Sequence, residues 1–418
     1  MAKRKRDRTG LEHSTLREQP LSYGVWGEAF IDPEAWSQMD NAMRLPISIA
    51  GALMPDAHVG YGLPIGGVLA TDDAVIPYAV GVDIACRMRL TVFPVSSIVI
   101  GQKTGQFKKA LLEQTRFGAG VEWKPSEQVE HEVLDDPAWT ATDLLRSLKN
   151  KAYGQLGTSG TGNHFVEWGA FTLRAADEVF DLKPGEYLAL LSHSGSRGVG
   201  FQIANHYSRL AQEFHPELES SVRHLSWFDL ESHYGQEYWL SMQLAGRFAA
   251  ANHEVIHRRV AKAVGLKAAA TIENHHNFAW KETISAPPGF GSGERPAIVH
   301  RKGATPAARG VYGIIPGSMG DAGYVVCGRG EMAALNSASH GAGRLMSRRA
   351  AMQSITRTER DRYLKERGVT LIGGGLDEAP QAYKAIDQVV DAQADLVDIV
   401  GTFRPIMVRM ADDGGHEG

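Results

Sequence analysis

The sequence predicts a mixed α/β (α+β) fold, a single domain of many short strands behind a short polar N-terminal arm. Three observations predict it. From Leu21 onward, short apolar runs alternate with Gly and Pro, the rhythm of short strands and tight turns. Two later segments carry apolar residues near helical spacing. No repeat period, low-complexity tract or Pro/Ser-rich linker divides the chain, so no domain boundary is marked. With 418 residues, 43% hydrophobic and 22% charged, the chain can bury a sizeable core.

Taken in order, residues 1–20 are polar and charged and form the arm, expected to be mobile; residues 21–418 form the domain. LPIGGVLAT (63–71) reads as strand broken by glycines, and MRLTVF (88–93) alternates as a half-buried strand does. Residues 103–153 hold the densest helix-favouring sequence. YLALLSHSGSRG (187–198) reads as a buried strand running into a Gly/Ser turn. The stretch 237–264 is predicted to be a long helix. A second helix is predicted over 378–397, with Asp377 as its N-cap and Pro380 in its first turn.

Composition removes several function classes. The net charge is −4, whereas a protein that coats long nucleic acid is basic overall. Nucleic-acid contact must therefore be local. Cys86 and Cys327 give no disulfide framework. The basic opening MAKRKRDRTG is followed by no apolar stretch of the signal-peptide kind, and no apolar run reaches membrane-spanning length. A cytoplasmic, membrane-free protein is expected.

Six segments set ligand-type side chains among small or polar residues: MPDAHVGYG (54–62), GVDIACRMR (81–89), GTGNHFVEW (160–168), LSHSGSRG (191–198), NHHNFAWKE (274–282) and NSASHGAGR (336–344). Each alone is weak, because a single buried His is usually a paired core residue. Asp83 and Cys86, three apart, could face one metal; the plain reading is a turn aspartate beside a buried thiol. As a set, Asp, Cys and several His suit transition metals and suit calcium or magnesium poorly. HSGSR and HGAGR each place an Arg four residues after a His with glycine between, an arrangement able to hold phosphate. HRKGATPAAR (300–309) and GRLMSRR (343–349) add local positive charge, or are solvated faces. There is no P-loop, no dinucleotide fingerprint and no K-x-D-G lysine motif. HEVIH (253–257) matches the zinc-protease pattern on a helix, with Glu254 as base; so short a pattern is weak in a chain with 16 histidines.

PDAHVGYGLPIGG, GVDIAC, GNHFVE, HSGSRGVG, HHN, HRKGAT, PGSMG, SHGAGR and DEAPQAYK follow one another from about Pro46 to Met410. In that order they resemble the RtcB family of RNA ligases. The resemblance implies a single mixed α/β domain with a deep cleft for two metal ions. Asp83, Cys86, His164, His193 and His276 would ligate two Mn²⁺, with Cys86 bridging. His340 would be the residue guanylylated by GTP. Asn163, Glu167, Asn277, Ser318, Gly341, Ala342, Gly343 and Tyr383 would hold the nucleotide. Arg197 and Arg344 would hold RNA phosphate, and Asp56 would be an acidic residue near the metals.

The implied activity joins RNA 3′-phosphate or 2′,3′-cyclic phosphate ends to 5′-hydroxyl ends through an RNA–ppG intermediate, in RNA repair or tRNA splicing. The implied partners are RNA ends and GTP, with an activating protein a further expectation and a monomer the expected state. Alternatives are a relative acting as an RNA-end guanylyltransferase or phosphodiesterase, a non-catalytic RNA-binding module, or the protease. The chain departs from the family pattern at Thr161, inside a glycine run, and at Val59, where Gln is common. Met410 falls where relatives carry a guanine-reading Lys, with Arg409 just before it. These departures bear on nucleotide and RNA preference.

Overall fold

The computed structural model describes residues 15–286 and 288–412. The expected arm lies mainly outside these residues. Its last part is tied down: Arg17 N–H donates to Arg44 O at 2.8 Å, and Arg44 Nε returns a bond to Arg17 O at 2.9 Å.

Two sheets form the frame, and the mixed α/β class holds. An eight-stranded sheet runs Tyr312–Ile315, Gly323–Gly328, Val397–Met410, Phe165–Leu173, Gly185–Ser194, Arg87–Phe93, Ala270–His275, with Thr370–Ile372 paired to the long Val397–Met410 strand. A five-stranded sheet runs Gly24–Val25, Ser48–His58, Ile65–Thr71, Glu294–Lys302, Asn277–Ser285. The chain passes from one sheet to the other at a single residue, His276, between Ala270–His275 and Asn277–Ser285.

The predicted strands 63–71 and 88–93 appear as Ile65–Thr71 and Arg87–Phe93, and 187–198 as Gly185–Ser194 followed by the helix Arg197–Phe214. The long helix is His233–Val264. Ser232 caps it by accepting from Gly235 N–H, and Gly265 ends it at φ 70°, the left-handed conformation that glycine adopts without strain. Its inner face packs Met242, Ala245, Phe248, Ala249 and Val255 into the main core. Residues 103–153 carry helices Thr104–Gln114 and Asp143–Gln155 with short 3₁₀ turns between them.

The helix predicted over 378–397 does not form. That stretch holds 3₁₀ turns Leu376–Glu378 and Pro380–Ala382, then a short helix Ile386–Asp391, and Asp377 caps nothing. Ala379 takes φ −60° and ψ 145°, because the residue before a proline is pushed out of the helical region. Buried polar contacts of Tyr383 and Lys384 then hold the chain open.

Candidate active site

Sheet register builds the site. His193 stands opposite Met88 on one neighbour and Phe165 on the other. Cys86 and His164 immediately precede the strands Arg87–Phe93 and Phe165–Leu173, and His276 follows Ala270–His275. Four ligand-type side chains thus converge at one end of four adjacent strands.

Their donor atoms face one another. Cys86 Sγ lies 3.5 Å from His164 Nε2 and 3.1 Å from His193 Nε2. His193 Nε2 lies 3.2 Å from His276 Nε2, and Asp83 Oδ2 lies 3.0 Å from His164 Nε2. Cys86, His164 and His193 form a cluster able to hold a metal ion. The outer nitrogens settle which lone pairs point inward. His164 Nδ1 donates to Ser159 O at 2.8 Å and His193 Nδ1 to Asn163 O at 3.1 Å. A carbonyl can only accept, so each inner Nε2 is left unprotonated in the neutral ring, the form that binds metal. Arg197 Nη1 sits 3.3 Å from His164 Nδ1; the shorter carbonyl contact assigns that proton. Burial, then the neighbouring His164, pushes His193 down to about 3. Burial, then His340, pushes His276 well below its ordinary value. Burial and the charge of Asp83 push the Cys86 thiol well up. Burial would raise Asp83, but His164 and Arg197 outweigh it and hold the carboxyl low.

The cluster opens into a cleft of about 1180 Å³. His340 stands in its wall with its ring 4.9 Å from that of His276. Asp56, fully buried on Ser48–His58, takes three hydrogen bonds on Oδ2: from His340 Nδ1 at 2.7 Å, His340 N at 3.1 Å and Gly341 N at 3.3 Å. Lys384 Nζ donates to Pro55 O at 3.0 Å and Ala57 O at 2.8 Å, the carbonyls on either side of Asp56. Burial would raise the Asp56 carboxyl, but the bond to His340 and the charge of Lys384 keep it below the ordinary range. Gly343, at φ 73°, packs so closely that a Cβ would lie 2.1 Å from Asp56 O. Only glycine fits there.

The family profile described as tRNA-splicing ligase RtcB matches residues 38–411. The chain belongs to the RtcB family. It is 32% identical to the RNA-splicing ligase RtcB of Escherichia coli (strain K12), over 95% of this chain and 99% of that one. It is 29% identical to the tRNA-splicing ligase RtcB of Thermococcus kodakarensis, over 89% and 90%. Against the RNA-splicing ligase RtcB of Mycobacterium tuberculosis it is 32% identical, over 85% and 95%.

Of the other residues singled out by the RtcB resemblance, Asn163, Asn277, Ser318, Gly341, Ala342, Gly343, Arg344 and Tyr383 line the cleft. Some are committed to the protein itself. Asn277 holds Asp83 O and Gly303 N. Ser318 Oγ bonds Asp321. Arg344 reaches Glu378, Asp377 O and Met346 O and lies over the Tyr383 ring. Tyr383 also bonds Glu378. Arg197 is 3% exposed and lies beneath His164 rather than in the cleft wall. Glu167 is 5% exposed and stands opposite Val408, two pairs deeper than the cleft-lining pair Phe165 and Met410. Burial pushes its carboxyl well up.

One departure, Thr161, finds a physical reason. Gly160 and Gly162 adopt positive φ while Thr161 does not, and a Cβ on Gly160 would meet Arg197 Nη2 at 1.7 Å. The loop needs glycine on either side of Thr161 and not at it. Met410 faces the cleft; Arg409 faces away, over Phe117.

The basic stretches divide. His300 and Arg301 are core residues, Arg301 paired with Glu282, so they offer phosphate nothing. Lys302 and Arg349 line the cleft, as does Arg348, which pairs with Asp377 and Glu378.

HEVIH is overturned as a zinc site. His253 bonds Ser192 Oγ and Ser194 O, and His257 bonds Thr91 Oγ1 and Ser192 Oγ, so all four ring nitrogens are taken. Glu254 points outward to His131 and Arg258. Sequence reading missed Phe165, Lys384 and the Asp56–His340 contact. Spacing gave no signal for them, since all three depend on pairing between distant segments.

Proposed function

We propose that this chain is a GTP-dependent RNA ligase that joins RNA 3′-phosphate or 2′,3′-cyclic phosphate ends to 5′-hydroxyl ends, with His340 carrying GMP and two Mn²⁺ ions as cofactors. The observation that carries the reading is the Asp56–His340 contact. With Nδ1–H donated to a carboxylate, the neutral ring presents an unprotonated Nε2 to the cleft, the atom a nucleophilic histidine needs.

The residues fit the metals. Thiolate, imidazole and carboxylate donors 3.0–3.5 Å apart match the spacing around an ion bound at about 2.0–2.3 Å. Asp83, Cys86, His164, His193 and His276 would hold the ions. Bound there, they would polarise phosphate oxygens and neutralise charge on the departing pyrophosphate.

Nε2 of His340 attacks the α-phosphorus of GTP; the Nε2–P bond forms, the bond to the bridging oxygen breaks, and pyrophosphate leaves. The ring now carries positive charge, which Asp56 offsets. An oxygen of the RNA 3′-phosphate then attacks the same phosphorus and returns the electron pair to Nε2. The 5′-hydroxyl of the second RNA end attacks the 3′-phosphorus, loses its proton, and GMP leaves. Arg344 and Tyr383 bound the nucleotide end of the cleft, with Ser318, Gly341, Ala342 and Gly343 close to the phosphates; Asn163, Asn277 and Arg197 keep the metal-side groups in place. Glu167, two residues along the same strand from Phe165, would accept from the guanine edge.

The test is product analysis with one RNA ending in 3′-phosphate and one beginning with 5′-hydroxyl. Joined RNA is expected only with GTP and Mn²⁺. Guanylylated ends that never join would instead make the protein an end-capping enzyme.

A further inference from the structure

One wall of the cleft is occupied by groups that the proposed reaction steps leave unused. Tyr61, in the turn after Ser48–His58, is 67% exposed inside the cleft lining. Its ring meets His224 at 5.9 Å and 69°, and Tyr78 at 6.3 Å and 72°. Tyr78 and His224 in turn lie 4.7 Å apart. These two rings brace Tyr61 by T-shaped contacts, and two thirds of its surface stays open to the cleft. Lys302, 7% exposed, sits below with Nζ 5.5 Å from the Tyr78 ring centre and 2.5 Å from Tyr61 O. No carboxylate pairs with it among the described residues, and burial pushes it down to about 7. A buried ammonium without a counter-charge, in a cleft wall, suits an anion. Val59, apolar and 38% exposed, continues the same wall.

The wall adjoins the nucleophile. Gly303 follows Lys302, and a Cβ on it would lie 3.2 Å from Cε1 of His340. A nucleotide held by this wall would have its phosphate next to the group that carries GMP.

We propose that Tyr61, buttressed by Tyr78 and His224, and Lys302 form a subsite for the terminal nucleotide of the RNA strand that ends in 3′-phosphate: the base stacks on Tyr61 and a phosphate oxygen accepts from Lys302. The inference rests on the RNA-ligase reading of the same cleft. Stacking on an aromatic face tolerates any base, so the subsite would accept RNA ends of any sequence.

The test is fluorescence anisotropy without GTP, using a short RNA ending in 3′-phosphate with its 5′ end phosphorylated, and another with 5′-hydroxyl and 3′-hydroxyl ends. Tyr61→Ala should weaken the 3′-phosphate RNA about tenfold, the loss of one stacked base, with Tyr61→Phe retaining affinity. Lys302→Met should lower the salt slope for that RNA by about one contact. Little change in the 5′-hydroxyl RNA is expected. Equal losses for both RNAs, or loss only for the 5′-hydroxyl RNA, would overturn the strand assignment; unchanged affinity in Tyr61→Ala would overturn the subsite. Wild-type protein that takes up GMP while Tyr61→Ala binds normally would defeat this inference alone. Wild-type protein that neither takes up GMP nor joins ends would defeat the ligase reading itself.

Discussion

Asp56 Oδ2 and His340 Nδ1 lie 2.7 Å apart, and the same oxygen takes the backbone N–H of His340 at 3.1 Å. One buried carboxylate therefore fixes the peptide, the ring and the tautomer of the proposed nucleophile.

Asp56→Asn should keep the shape and lose the charge that offsets a histidine bonded to phosphorus. The rate of protein–GMP formation is expected to fall roughly 10²–10⁴-fold, the range for a misplaced or mischarged acid–base partner, while GTP affinity changes little. Single-turnover kinetics checks this. A drop of less than about threefold would show that the contact only braces the fold.

Cys86→Ser should weaken divalent-metal binding at least about tenfold, the lower limit for disturbing a ligand set. With Co²⁺ as a spectroscopic probe, wild-type protein should show a thiolate-to-metal absorption band that the variant lacks. The same band in both would remove Cys86 from the centre.

Met410 and Arg409 stand on opposite faces of the last strand, because successive side chains alternate; Met410 pairs with Phe165 and lines the cleft. GTP should be preferred over ATP. A lysine at 410 can donate to guanine O6 where a thioether cannot, so Met410→Lys should sharpen the preference about tenfold or more, the worth of one hydrogen bond to a charged group. Arg409→Ala should change it little. Competition between GTP and ATP for protein labelling is the measurement, and collapse of selectivity in Arg409→Ala would reverse the assignment.

Much of this was legible in sequence because it is local. The Gly/His segments contain Cys86, His164 and His193, which the fold brings into one cluster able to hold a metal ion, and periodicity over 237–264 finds the helix His233–Val264. What was not legible depends on long-range pairing. Asp56 meets His340 only because Ser48–His58 and the chain after Ser337–Ser339 run side by side. The 378–397 segment has helical spacing, yet Pro380 and the buried Lys384 decide its path. His253 and His257 do share a helix face, and that face is core.

Stability should fall below neutral pH through buried histidines outside the proposed centre. His300 accepts from Ile76 N at 3.0 Å and its other nitrogen faces Leu69 O at 3.2 Å; burial pushes it down to about 4. A lowered histidine gives full stability above its unfolded value of about 6.5 and loses it as pH falls towards the folded value. Between pH 7 and 4 the loss is about 3 kcal/mol for this group. Urea unfolding across that window should show it. His300→Gln, less stable at pH 7, should have a flatter profile; an unchanged slope would assign the acid loss to other groups.

The central claim is that His340 accepts GMP. Mass spectrometry of the intact protein after incubation with GTP and Mn²⁺, followed by peptide mapping, tests it most directly. The account expects one added GMP on His340, stable to alkali, released by acid, and absent in His340→Ala. An adduct on a lysine, or none with metal bound, would contradict it.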